Sequence, residues 1–226
     1  MERAERIAGW VWLPVHMFAL SFLVSLIAKG LASGGTVLSE SYVTLIYYGI
    51  SFAFVLIVMF RYLRRSFGDM CDHKLDSLQA VIIGYVLYYV LGYLVSALLG
   101  LADLRLTNPN NELVIQQTKL NPNVMTVVSV LLAPVAEETL FRGVAYGTLR
   151  GKSVFLAYLV STVLFAVYHM WSFLLDGYGW TILLYMLQYV PGGIALAWCY
   201  EKSKNIWAPV FLHMAINLIT LTITVG

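Results

Sequence analysis

Seven stretches of this sequence are apolar over the length of a bilayer crossing, which leaves the chain very few folds to choose from. A membrane helix needs about 20 predominantly apolar residues. The stretches near 10–28, 42–60, 78–101, 124–149, 154–175, 180–200 and 207–225 all meet that length. Lipid offers no hydrogen bonds to exposed backbone, so spans of this kind satisfy themselves as helices and pack together. The expected fold is all-α, a polytopic transmembrane bundle of about seven spans. Composition agrees. Of 226 residues, 60% are hydrophobic and only 12% charged. Soluble domains run at about 45–50% apolar and about 25% charged. A net charge of +2 gives no footprint for nucleic acid, so the bilayer, not a polynucleotide, is the expected surroundings.

Arg3 and Arg6 precede the first span, whose apolar run of about 18 residues exceeds the h-region of a signal peptide; it is expected to be a retained helix. Basic residues then set the orientation. With seven spans, Arg3, Arg6, Arg61, Arg64, Arg65, Lys74, Arg150, Lys152, Lys202 and Lys204 all fall on one side. Lys29, Arg105 and Lys119 fall on the other. The positive-inside rule places the N-terminus in the cytoplasm and the C-terminus outside, with the cell membrane as the expected location. Trp10, Trp12, Trp198 and Trp207 mark the inner interface, and Trp171 and Trp180 the outer one. Cys71 and Cys199 fall near cytoplasmic ends and read as reduced thiols. The asparagine-rich segment 103–123 is polar and has room for a short interfacial helix. No internal repeat is visible, which counts against a transporter built from repeated halves. The whole chain, 1–226, reads as one membrane domain, with spans one to three and a connecting loop in 1–122 and a four-span core in 123–226.

Within that core, "LLAPVAEETLFRGV" (131–144) carries three ionisable groups in an apolar run. A charged side chain at the bilayer centre costs about 2.5–3.5 kcal/mol on insertion scales, and such groups usually face the bundle interior and mark function. Successive helical residues step by about 100°, so Glu138 and Arg142, four apart, lie about 40° apart and form a natural structural ion pair. Glu137 lies about 140° from Arg142 and stays free for other work. At a rise of about 1.5 Å per residue, Glu137 sits about 20 Å, His169 about 25 Å and His213 about 14 Å from the nearest basic cytoplasmic residue. Asn217 lies one turn beyond His213 on the same face. An acid, two imidazoles and a carboxamide at mid-membrane on three spans form a constellation. His16, in the first span, has no partner at motif spacing and reads as a structural histidine hydrogen-bonded to a neighbour.

These residues resemble the CPBP intramembrane peptidases, which include type II CAAX prenyl endopeptidases and bacteriocin-processing or Abi proteins. Glu137-Glu138-Thr139-Leu140-Phe141-Arg142 matches the family's EExxxR motif, Phe165-Ala166-Val167-Tyr168-His169 its FxxxH motif, and His213-Met214-Ala215-Ile216-Asn217 its HxxxN motif. The likeness covers about 124–225. It implies a membrane-embedded endopeptidase of the glutamic type, with no metal and no cofactor. In that reading Glu137, supported by His169, activates water, while His213 and Asn217 form an oxyanion hole. Glu138 and Arg142 hold the architecture. The substrate would be a membrane-associated peptide or protein, with or without a lipid anchor. Chemistry agrees: hydrolysis needs a base within hydrogen-bond reach of water and donors aimed at the developing oxyanion.

Such a site needs a polar cavity open to one face, and the depth arithmetic allows an inward opening. Pro134, having no N–H, is expected to bend its span. Gly143 and Gly147 read as a close helix contact. "VPGGI" (190–194) interrupts the sixth span at mid-depth and offers a substrate strand a place to lie, so alanine at Gly192 and Gly193 would reduce cleavage more than folded yield. Two other classes fit less well. A zinc hydrolase could use Glu137, His169 and His213 as ligands, but the paired-histidine HExxH spacing is missing. A non-catalytic scaffold or immunity protein of the same fold would not need intact motifs.

Overall fold

A computed structural model describes residues 1–102, 104 and 106–225; Arg105, counted above among the outer basic residues, lies outside the described residues. The fold is an all-α bundle, without strands among the described residues. In chain order the helices are α1 (Arg3–Ser33), α2 (Glu40–Val58), α3 (Phe60–Asp72), α4 (Lys74–Leu101), α5 (Pro109–Leu120), α6 (Pro122–Arg150), α7 (Val154–Leu174), α8 (Gly179–Leu187), α9 (Val190–Ser203) and α10 (Trp207–Val225). Six are long and apolar enough to cross a membrane singly, and α8 with α9, a bent pair, makes seven when the two count as one broken span. The chain is an integral membrane protein.

The spans start and stop near the expected residues, but their interiors are less regular than a sequence pattern shows. Pro14 in α1 is followed by a wide π-turn over Val15–Ala19. In α6, π-turns cover Val127–Leu132, just before Pro134, and Thr139–Tyr146. Proline removes one i→i−4 hydrogen bond, and a wider turn is one way to accommodate the gap. The sixth span breaks ahead of the expected place. α8 and α9 meet at 42°, at Gln188-Tyr189 and not within the glycine pair. Pro191 then sits in the first turn of α9, where its missing N–H leaves no bond unmade.

Two helices connect the spans. α5 forms in the polar 103–123 segment as expected, started by Asn108, whose side chain accepts from the Asn110 and Asn111 backbone N–H groups. α3 is new: the basic segment after the second span is an amphipathic helix, burying Tyr62, Leu63 and Ser66 while Arg61, Arg64 and Arg65 face out. Buried Glu5 accepts from the Tyr62 N–H at 2.8 Å, placing a carboxylate at the positive end of α3. Arg65 meets Glu2 at 2.9 Å and Glu5 at 3.3 Å, which ties α3 to α1.

α6 is the centre of the bundle, touching α1, α2, α7, α9 and α10. Of its most apolar window 67% is buried, against 6% in α4, which lies along α9 and α10 with its other side outward. Glycines let the packing close. A Cβ on Gly143 would come within 3.0 Å of the Tyr62 ring, and one on Gly147 within 3.3 Å of the Tyr200 hydroxyl. Both are packing contacts, as their spacing suggested. The 190–194 glycines divide. A Cβ on Gly193 would lie 2.5 Å from Thr162 Cγ2, so this position serves helix packing. One on Gly192 would meet nothing closer than 3.6 Å, and Gly192 lines the central cavity.

Candidate active site

α6 carries Glu137, Glu138 and Arg142 into the core, each at most 2% exposed. The one-turn separation of Glu138 and Arg142 survives the wide turn, and Arg142 Nη1 donates to Glu138 Oε1 at 2.9 Å. Arg142 Nη2 donates to the Gly193 carbonyl at 3.1 Å, and its guanidinium lies 4.5 Å from the Phe165 ring centroid. Glu138 has a second partner: His213 Nδ1 lies 2.8 Å from the same Oε1. A carboxylate already holding a guanidinium acts as the acceptor, so His213 Nδ1 carries a proton. The pair therefore fixes the orientation of a candidate site histidine as well as the helices.

Glu137 points the other way around the helix. Its Oε1 accepts from the Tyr48 hydroxyl at 2.8 Å. Its Oε2 is buried with no hydrogen-bond partner, and His169 Nε2 lies 3.9 Å from it. Such an orphaned buried oxygen calls for an explanation. The separation is too long for a direct hydrogen bond and suits one bridging water. His169 Nδ1 donates to the Phe165 carbonyl at 2.8 Å, since a carbonyl can only accept. Nε2 of a neutral His169 ring is then an acceptor facing the carboxylate. The Tyr189 ring stacks on His169 at a centroid distance of 4.4 Å.

Asn217 donates through Nδ2 to the Ser129 carbonyl at 2.8 Å, which uses one of its two amide hydrogens. Glu137, His169, His213 and Asn217 all line a single cavity of about 470 Å³, so side chains from three spans meet around one space. The depth arithmetic put these groups up to about 10 Å apart along the membrane, yet all four line the same cavity. The cavity continues toward Ser25 on α1, Thr44 on α2, Ser172 on α7 and Thr224 on α10. Each of these lies at the end of its helix remote from the basic segments. The space thus runs toward the end of the bundle away from the basic segments, whereas the depth arithmetic allowed an opening at the basic end; a residue count along each helix ignores where side chains leave room.

His16 is held as a structural histidine would be, with Nδ1 2.8 Å from Ser51 Oγ, yet it is not isolated from the site. Its ring stacks on Tyr168 at 4.8 Å. The Tyr168 hydroxyl donates to Tyr48 at 2.9 Å, and Tyr48 donates to Glu137. This tyrosine chain was not visible in the sequence. Tyr48 lies two spans before the motifs, and with 15 tyrosines in the chain no spacing singles it out. As for metals, among the described residues no group of three or more His, Cys, Asp or Glu side chains could hold an ion. Glu137, His169 and His213, the suggested zinc ligands, line one cavity but do not form such a group.

Fold and site define a polytopic membrane protein with an acid–imidazole centre inside its bundle. Residues 119–219 match the sequence model of a family described as Rce1-like, type II CAAX prenyl endopeptidase Rce1-like, so the resemblance read from the three motifs holds over this region. Two curated relatives are similar. YdiL of Bacillus subtilis (strain 168), provisionally named a membrane peptidase, is 33% identical over 94 residues, 41% of this chain and 34% of the relative. UPF0177 protein YxdF of Lactococcus lactis subsp. lactis (strain IL1403) is 33% identical over 88 residues, 39% of this chain and 43% of the relative. The chain thus matches less than half the length of either. No solved structure matches it.

Proposed function

We propose that this chain is an intramembrane endopeptidase of the glutamic type, hydrolysing a peptide bond in a membrane-associated peptide or protein without a metal ion or cofactor. The observation that carries the reading is the unpartnered Glu137 Oε2 facing His169 Nε2 across 3.9 Å inside a shared cavity. Two acceptors at that spacing can take both hydrogens of one water, turning its lone pairs toward a substrate carbonyl. As the water oxygen bonds to the carbonyl carbon, Glu137 takes its proton, and the carbonyl π electrons move to oxygen. When the tetrahedral intermediate collapses, the C–N bond breaks and the proton passes to the leaving amine. Tyr48 holds Glu137, and Tyr189 and the Phe165 carbonyl hold His169, so neither has to reorganise during the reaction.

The oxyanion falls to Asn217 and His213. Asn217 keeps one amide hydrogen beyond its bond to Ser129. His213 can donate from Nε2 only with both ring nitrogens protonated, because Nδ1–H is committed to Glu138. Ten basic residues gathered on one side support a cytoplasmic N-terminus, an outside C-terminus and residence in the cell membrane.

The test is mass spectrometry of membrane peptides from cells carrying the wild-type protein or Glu137→Gln at equal folded yield. Loss of the base should reduce production of specific peptides by at least about 10³-fold, the loss seen when a catalytic member is removed. Chelator treatment of the wild type should leave them unchanged. Identical peptide profiles would sink the peptidase reading, and chelator-sensitive production its metal-free form.

A further inference from the structure

We infer that the site is served from the non-cytoplasmic face, and that its substrate is a polypeptide segment that has already crossed the membrane. This rests on the peptidase reading and names its substrate class. Two independent observations meet here. The first is charge: positions 3, 6, 61, 64, 65, 74, 150, 152, 202 and 204, all Lys or Arg, lie at one end of the bundle, and Lys29 and Lys119 are the described basic residues at the other. The positive-inside rule makes the basic end cytoplasmic. The second is the cavity, which runs from Glu137 to the opposite end, through Ser25, Thr44, Ser172 and Thr224.

The wall at that end also says what it would receive. α5 lies over the cavity and brings Asn108, Asn110, Asn111 and Gln117 to it, while Gln188 joins from the break between α8 and α9. Carboxamides offer both a donor and an acceptor, the complement of an extended peptide backbone. They now bond to one another and to neighbours: Asn108 Nδ2 to Gln188 Oε1 at 2.8 Å, Asn110 Nδ2 to the Tyr189 hydroxyl at 3.0 Å. An entering strand can take over those bonds at little net cost, since one hydrogen bond replaces another. Tyr189 couples this mouth to the centre, as its ring is the one stacked on His169. The reaction that supplies the substrate is therefore translocation of a polypeptide. A C-terminal tail prenylated in the cytoplasm would meet the basic end, remote from Glu137.

Two measurements test this. In a Cys71→Ser, Cys199→Ala background, Thr36→Cys and Glu112→Cys should react with a membrane-impermeant maleimide on intact cells. Cys71, restored alone, should react only after permeabilisation. The reverse pattern would overturn the assigned face whatever the protein's activity. A randomised library of internally quenched peptides is then added to sealed vesicles of each orientation. Glu137-dependent cleavage should be at least about tenfold faster in right-side-out than in inside-out vesicles. Equal rates, or faster cleavage in inside-out vesicles, would overturn the substrate class. If detergent-solubilised wild type cleaves nothing in the library, the peptidase reading falls and the substrate class with it, while maleimide labelling still decides the face.

Discussion

α4 and α6 are nearly the same length, 28 and 29 residues, and both pass as membrane spans, yet they live in different surroundings. α4 turns most of its side chains outward, and its buried positions are Ser77, Ala80, Gly84 and Leu99. α6 is enclosed on all sides from Ala133 to Tyr146, charged groups included. Hydropathy separates membrane from water and cannot separate lipid from protein interior, because a leucine is equally at home in both. Ionisable side chains can, since they need partners that only the protein supplies. The charged span is therefore the central one, and the apolar span the peripheral one, the reverse of a water-soluble fold.

That contrast can be broken by substitution. The largest effect is expected from Arg142→Leu on α6. It leaves Glu138 buried with one partner gone, and breaking a buried pair typically costs about 3–5 kcal/mol. Thermal unfolding in detergent should show it, and a near-wild-type midpoint would mean that α6 is not the enclosed centre. Tyr48→Phe removes one hydroxyl donating to Glu137; a bond to a charged group is worth about 1.5–3 kcal/mol. Activity should drop roughly 10–100-fold with unchanged folded yield, and unaltered activity would remove Tyr48 from the machinery. Gly193→Ala must displace Thr162 and should destabilise by about 1–3 kcal/mol, while Gly192→Ala is accommodated. Similar unfolding midpoints for the two variants would contradict the packing assigned to Gly193. The smallest change is Leu94→Ile on the outward side of α4, expected within about 0.5 kcal/mol. A large loss there would show that α4 is covered by something other than lipid.

Much of this was legible beforehand. Span positions followed from apolar length, and the Glu138–Arg142 pairing from one-turn spacing, which a wide helical turn perturbs without breaking. Misplaced or unseen were α3, whose basic residues hid an apolar side; the break at Gln188-Tyr189, displaced from the glycines it was read from; and the Tyr48–Tyr168 chain. Each depends on contacts between segments distant in sequence. Tyr48 and Glu137 are 89 positions apart, and neither one's local pattern reveals the other.

The sequence by itself determined that this chain enters a membrane, how many times it can cross, and which side chains cannot be left to face lipid. Those are properties of single segments, set by transfer of each residue between water and hydrocarbon. Only the tertiary structure decided which charged oxygen was paired and which left open, and toward which end of the bundle the shared cavity runs. Both follow from how helices tilt and turn against one another, which transfer energies of separate residues do not encode.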